Sequence, residues 1–323
     1  MKATTAQTDL DQPQRPRSTV WRWLKRGMAV FCFVMVPVLL FMLVRNLDWQ
    51  EVSHALRSYK ATTLLAGAGI ALASYLVFSS YDLLSKRYTG HQIPATKVLP
   101  LAFVCYAFNL NLSSWVGGIA LRYRLYGKLG LKAATITQIL SLGLVTNWLG
   151  YLMIGGAVFA SGYPDLPEGM KIGATGLRLI GAAMVLAGVA YLLACAFAKK
   201  RTWQIRKTEI TLPSFRFAVL QAATGALNWA LMGLLIFWLL PAKASYFEVL
   251  AILLISSIAG VITHIPAGLG VLETIFITLM QGQYSKGALL AALIGYRALY
   301  FLLPLAISCV IYLVLEGRTR KTS

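Results

Sequence analysis

The chain has 323 residues, 58% of them hydrophobic and only 13% charged, with a mean hydropathy of +0.68. A water-soluble domain carries about 25% charged and about 45–50% apolar residues, so this composition excludes a soluble globular protein. The net charge of +19 would point to nucleic acid in a soluble chain. Here the Lys and Arg residues sit between apolar runs, where membrane topology puts them, and no soluble domain offers nucleic acid a surface.

Residues 1–20 are polar, contain Pro13 and Pro16, and read as a disordered cytoplasmic tail. The first apolar run, 28–44, follows Arg22, Lys25 and Arg26. It is long for a signal-peptide core, contains Pro37 and ends without a small-x-small cleavage site, so it reads as an uncleaved span. Further spans are predicted at 61–84, 133–160, 174–197, 214–240 and 286–315, each long enough to supply the ~20 residues that a bilayer core demands. Two more apolar stretches are interrupted. The stretch 98–121 is broken by Asn109, Asn111, Ser113, Ser114 and Gly117-Gly118; the stretch 246–281 is broken at His264-Ile265-Pro266-Ala267-Gly268-Leu269-Gly270. Residues 317–323 read as a second cytoplasmic tail, leaving one transmembrane domain over 21–316. Cys32, Cys105, Cys195 and Cys309 lie singly in separate apolar segments, a spacing for neither a disulfide framework nor a metal site.

Charge decides whether the interrupted stretches cross. If both are re-entrant, 22 of the 30 Lys and Arg residues lie on the cytoplasmic side, 7 lie outside and Arg297 alone is mid-span. If both cross, the counts become 15 inside and 14 outside. The positive-inside rule prefers the first arrangement. The expected fold is therefore an all-α polytopic membrane protein with six full spans and two re-entrant helical hairpins, one from each face, with both termini cytoplasmic. Non-helical backbone at membrane depth survives only inside protein or beside water, and inverted-repeat transporters use paired breaks of this kind. A short internal echo agrees: Gly117 precedes Arg122 by five residues, as Gly268 precedes Glu273.

The breaks also carry the candidate chemistry. Pro266, Gly268 and Gly270 interrupt a helix that restarts with Glu273 in its first turn, where free N–H groups favour an anion. This reads either as a substrate or coupling-ion site, or as a kink capped by Glu273. Arg297 lies within the last span, where an arginine costs about 2.5–3.5 kcal/mol on insertion scales and so demands a partner. Glu273 is the expected one, whether the pair serves substrate or locks the fold. At the other break, Asn109, Asn111, Trp115, Gly117 and Gly118 lead to Arg122, a set suited to a phosphate clamp or to topological anchoring. Arg124, Lys128 and Lys132 read as anchors. Asp82 is expected either to pair with Arg122 or to carry a proton, and His264 to relay one or to bond a helix end. Asn147-Trp148 reads as interhelical glue. Motifs for zinc hydrolases, phosphate-binding loops or nucleophile elbows are absent, so an enzyme is not expected, nor is a cofactor or metal.

Together, Cys105 to Asn109, Trp115 to Arg124, Thr146 to Gly150, His264 to Glu273, and Tyr296-Arg297 through Pro304 resemble the lysylphosphatidylglycerol-synthase transmembrane-region family. The resemblance runs from about Trp21 to Glu316 and is nearest to stand-alone members of Gram-negative inner membranes. It implies a lipid-handling membrane domain; in the multiple peptide resistance factor the equivalent domain is regarded as the flippase for an aminoacylated phosphatidylglycerol. The chain ends at Ser323, soon after the last span, so the soluble aminoacyl-transferase domain and its synthase activity are not expected here. The resemblance places Pro266, Gly268, Gly270, Glu273 and Arg297 at the core of the site; Tyr300 follows Arg297 by three residues.

The expected function is binding or translocation of an anionic phospholipid in a bacterial inner membrane. Two rivals are an ion-coupled transporter of an anionic or polyprenyl-linked solute and a non-transporting partner of a lipid-synthesising enzyme. Expected partners are membrane phospholipid, and either a second copy of the chain or such an enzyme, but not nucleic acid.

Overall fold

The structure, a computed structural model, describes residues 57–112, 114–164, 173–199, 202–205, 208–241, 245–263, 268–280 and 282–320, together with Gln50 and His54. The tail at 1–20, the predicted span at 28–44, and the candidates His264 and Pro266 lie outside these residues. In chain order the helices are α1 (Ala61–Thr89), α2 (Ala95–Asn111), a π-helical segment (Ser114–Ala120), α3 (Leu121–Lys128), α4 (Ala133–Ala160) and α5 (Ala174–Phe197). They continue with α6 (Phe215–Leu239), α7 (Tyr246–Thr263), α8 (Val271–Met280), α9 (Lys286–Arg297), a second π-helical segment (Ala298–Leu302) and α10 (Leu303–Arg320).

Six of the described helices are long and apolar enough to cross a membrane: α1, α4, α5, α6, α7 and the continuous rod Lys286–Val314. Five coincide with predicted spans. The sixth, α7, is the first half of the stretch predicted to be interrupted. At 18 residues it is about 27 Å long, whereas α8, at 10 residues, reaches only about 15 Å. Two further details differ from the sequence reading. An antiparallel ribbon of β1 (Thr202–Ile205) and β2 (Thr208–Thr211) joins α5 to α6, and α10 stays helical through Arg320, inside the segment read as a tail.

Both interrupted stretches fold back on themselves. In the first, α2 follows Pro94 and the π segment returns against it. A Cβ on Gly117 would lie 2.1 Å from the Phe108 carbonyl carbon, so only glycine permits this approach. The two open ends meet where the His91 and Tyr126 rings stand 6.3 Å apart. In the second, α7 and α8 form the hairpin. Gln283 Nε2 donates to Glu248 Oε1 at 2.8 Å across the open ends, and Gly260 lies beside Gly268 near the bend.

The open ends point to opposite ends of the bundle. At one end, the Tyr88 hydroxyl donates to the Thr211 carbonyl at 2.6 Å, joining the end of α1 to the ribbon before α6; this end holds His91 and the base of the first hairpin. At the other, the Trp238 indole N–H donates to the Thr63 carbonyl at 3.1 Å, and Tyr163 rests on Phe247 where the second hairpin begins.

Packing between spans follows small residues, as expected where lipid supplies no hydrophobic contrast. The crossing of α4 on α6 is glycine on glycine: a Cβ on Gly150 would lie 2.1 Å from the Gly225 carbonyl carbon, and one on Gly225 would lie 2.2 Å from the Thr146 carbonyl oxygen. Gln221 Nε2 donates to Thr146 Oγ1 at 2.9 Å in the same seam. We expect Gly150→Val to lower the melting temperature in detergent strongly, at a cost of about 1–3 kcal/mol or more from overpacking. Gly143→Ala, on the same helix with nothing within 4 Å of its added Cβ, serves as the neutral control.

Candidate functional site

The second hairpin turns on two glycines with left-handed backbone, Gly268 (φ 57°) and Gly270 (φ 79°). Neither is crowded, so backbone conformation alone demands glycine there. The helix restarts at Val271, and Glu273 folds back to cap it, its Oε2 accepting the Gly270 N–H at 3.0 Å. This is the reach of an acidic residue in a capping box. The same carboxylate binds Arg297 at both oxygens: Nε donates to Oε1, and Nη2 to Oε2 at 3.0 Å. Arg297 Nη2 also donates to the Gly268 carbonyl at 3.0 Å, and the guanidinium sits 5.6 Å from the Phe301 ring centre. The Glu273 cap and the expected Glu273–Arg297 pair are therefore one structure. The side chains are only 18% and 10% exposed, so removing either partner would strand a charge, at about 3–5 kcal/mol. Beside the pair, Val261, Ile262 and Leu269 stand 59%, 70% and 41% exposed, giving the bend a bare apolar flank.

Arg297 is the last α-helical residue before the second π segment, where the Leu303 N–H bonds the Ala298 carbonyl five residues back. Pro304 explains part of this irregularity. It has no N–H to offer the Tyr300 carbonyl, and the Tyr75 hydroxyl donates to that oxygen instead, at 2.9 Å. The next carbonyl, Phe301, accepts from Asn111 Nδ2 at 3.2 Å. One irregular turn thus holds both hairpins: Arg297 grips the bend of the second, and Phe301 the bend of the first.

A buried polar cluster surrounds this turn. The Tyr300 hydroxyl meets Ser74 Oγ at 2.8 Å and the Tyr106 hydroxyl at 2.9 Å, and Ser74 donates to Asn228 Oδ1 at 2.9 Å. Tyr75, Tyr106, Tyr300, Ser74 and Asn228 are all buried. Of these only Tyr300 is among the residues anticipated from sequence. Asn228 was discoverable as an amide within an apolar run; Tyr75 and Tyr106 were not, because within a span they read as packing.

At the first hairpin, Asn111 is buried and Asn109 Oδ1 lies 2.7 Å from where a Gly118 Cβ would stand. The side chain of Trp115 lies outside the described residues. Arg122 does not join the Glu273–Arg297 cluster. It lies near the open end of its hairpin and binds Asp82 with two donors, Nε to Oδ2 at 3.3 Å and Nη2 to Oδ1 at 2.9 Å. The Tyr126 hydroxyl donates to Oδ2 at 2.8 Å. Asp82 thus takes the pairing role; for Arg122 to clamp phosphate, Asp82 would first have to release it. His91 lies close by. Burial holds its imidazole below the usual range, with Lys86 adding to the effect and Asp82 opposing it. Its Nδ1 accepts the Ile93 N–H at 3.3 Å. Arg124 lies over the Tyr312 ring. Near Asn147, the Trp229 indole N–H donates to the Asn147 carbonyl at 3.4 Å, while the side-chain bond between the helices comes from the neighbouring Thr146.

Paired helix breaks, a part-buried ion pair at one bend and an amide at the other define a polytopic membrane protein of the broken-helix kind. A family model described as the lysylphosphatidylglycerol synthase TM region matches residues 27–308, and the chain belongs to that family. It is 45% identical to the inner membrane protein YbhN of Escherichia coli over 302 residues, covering 93% of this chain and 95% of that one. It is also 32% identical over 275 residues to the uncharacterized protein slr0712 of Synechocystis, covering 81% and 82% of the two chains.

The Asp82–Arg122 pair predicts a specific pattern of stability. Asp82→Asn should lower the melting temperature markedly, because it leaves Arg122 buried without its counter-charge, at about 3–5 kcal/mol. The double substitution Asp82→Asn/Arg122→Met should recover much of that loss, as read by thermal unfolding of the purified protein.

Proposed function

We propose that this protein carries an anionic phospholipid between the leaflets of a bacterial inner membrane and is not an enzyme. The observation that carries the reading is the Glu273–Arg297 pair, set at the bend of a broken hairpin beside exposed apolar side chains. Such a position lets acyl chains stay in lipid while a head group reaches a guanidinium. A phosphodiester offers Arg297 two oxygens, as the carboxylate does, and arginine's planar fork suits both. Phosphate binding then displaces Glu273. Displacement removes the cap at Gly270 and loosens the bend, so binding is tied to movement of the hairpin. Asn111, on the facing bend, transmits that movement through the Phe301 carbonyl.

The accompanying topology has six full spans, at 28–44 and in α1, α4, α5, α6 and the last rod, with both termini cytoplasmic. The two hairpins are re-entrant from opposite faces and form an inverted repeat. Two observations support it: the concentration of Lys and Arg on one side under this arrangement, and open ends that point to opposite ends of the bundle. The bend of the second hairpin, near Gly260, lies about 18 Å along α7 from Glu248, which is a mid-bilayer depth.

The test is lipid translocation by the purified protein in liposomes, with fluorescent phosphatidylglycerol, cardiolipin and phosphatidylethanolamine. Phosphatidylglycerol and cardiolipin should move faster than phosphatidylethanolamine. Glu273→Gln should slow them at least ~10-fold, equivalent to about 1.4 kcal/mol, and Arg297→Lys, which keeps the charge but loses the fork, should do likewise. Unchanged movement in both variants, each still monodisperse, would sink the reading. Proton flux dependent on a water-soluble substrate would select a solute transporter instead. Co-purification with a lipid-synthesising enzyme, without translocation, would select a partner protein.

A further inference from the structure

A cavity of about 360 Å³ opens at the end of the bundle where the second hairpin begins, which is the outer end in the proposed topology. It lies between the start of α1, the end of α6 and the start of α9. Tyr59 and Thr63 give it polar walls; Trp238, Leu239, Ala288 and Ala291 give it apolar ones. At its wall the Tyr59 hydroxyl donates to the Leu239 carbonyl at 3.0 Å. Both of these lining residues rest on Gly295, where an added Cβ would lie 3.4 Å from a Leu239 methyl and 3.5 Å from the Tyr59 ring. Gly295 is two residues from Arg297, so one helix runs from the mouth of the cavity to the ion pair, about 14 Å from Ala288 to Arg297.

Charge distinguishes this cavity. The outer side carries only 7 of the chain's 30 Lys and Arg residues. Three of those seven, Arg57, Lys60 and Lys286, are exposed and lie within two positions of cavity-lining residues. Basic residues are scarce on that side by the topology rule, so their gathering around one opening runs against it. An apolar pocket at the outer end of the bundle, with exposed cations beside its lining residues in the chain, matches an amphiphile with a negative head. Trp238, 45% exposed at the end of its span, sits where indoles mark the membrane interface.

We infer that this cavity is an outer-leaflet binding site for an anionic phospholipid, with Arg57, Lys60 and Lys286 holding the head group and Trp238, Leu239 and Ala291 contacting the upper chains. The inference rests on the proposed carrier function and adds a second site to it.

Trp238 supplies the measurement. The protein is reconstituted in phosphatidylcholine vesicles containing equal mole fractions of brominated phosphatidylglycerol or brominated phosphatidylcholine. The Trp238 emission is read as the difference between wild type and Trp238→Phe. Brominated phosphatidylglycerol should quench that component with about fivefold higher apparent affinity, the weight of one basic residue near an anionic surface, and high salt should reduce the preference. Lys60→Glu/Lys286→Glu should abolish it. Equal quenching by the two lipids in wild type overturns the site, and that comparison needs no charge-reversed variant to fold. Preference surviving in Lys60→Glu/Lys286→Glu overturns the assignment of the head group to those lysines. Binding and translocation fail separately: preferential quenching without lipid movement leaves this site standing and removes the carrier, whereas movement without preference does the reverse.

Discussion

In a bilayer core, water is absent, so every backbone group released by a broken helix must find a partner in the protein. The rest of this structure depends on how the second π segment meets that demand. Pro304 takes one donor away, and the irregular turn leaves carbonyls facing sideways. Tyr75 takes up the Tyr300 carbonyl, Asn111 reaches that of Phe301, and Arg297 leaves the same turn to hold the carbonyl of Gly268. Three separate elements, α1 and the two hairpin bends, are thereby fixed to a few residues of the last helix. The buried hydroxyls of Ser74, Tyr106 and Tyr300 extend the same network into α6 through Asn228.

The two ion pairs have different surroundings. Asp82 is fully buried, accepts three hydrogen bonds from Arg122 and Tyr126, and stitches α1 to the base of the first hairpin. Nothing about it favours exchange. Glu273 is shallower, is tied to a backbone turn made of glycines, and adjoins exposed apolar side chains. A carboxylate that must compete for its arginine is better placed at the second location than at the first. Each carboxylate accepts three hydrogen bonds, so burial and the neighbouring backbone, not hydrogen-bond count, distinguish the two joints.

Much of this was legible in the sequence. The two interruptions and the demand of Arg297 for a carboxylate follow from the cost of polar groups in lipid, which leaves few solutions. Charge asymmetry foreshadowed hairpins whose open ends lie at opposite ends of the bundle. What sequence could not supply was the joint between the bends. Asn111 stood out as a polar residue at a break, but nothing in the chain indicates that its partner is a carbonyl 190 residues away. The extent of α7 was legible too, since it runs Tyr246–Thr263, from the start of the second interrupted stretch to its break at His264. Tyr75 and Tyr106 were missed because an aromatic in an apolar span announces packing, and its hydroxyl matters only where a neighbour lacks a donor.

The substitution of a side-chain hydroxyl for a missing amide has a consequence for descent. Tyr75 is useful at its position because Pro304 is a proline; with any other residue there, the helix would supply its own donor and the tyrosine's bond would become redundant. Positions 75 and 304, on different helices and 229 residues apart, are thereby chemically linked. Across the family, hydroxyl and imino acid should be gained and lost together, leaving a trace of this one hydrogen bond in sequences alone.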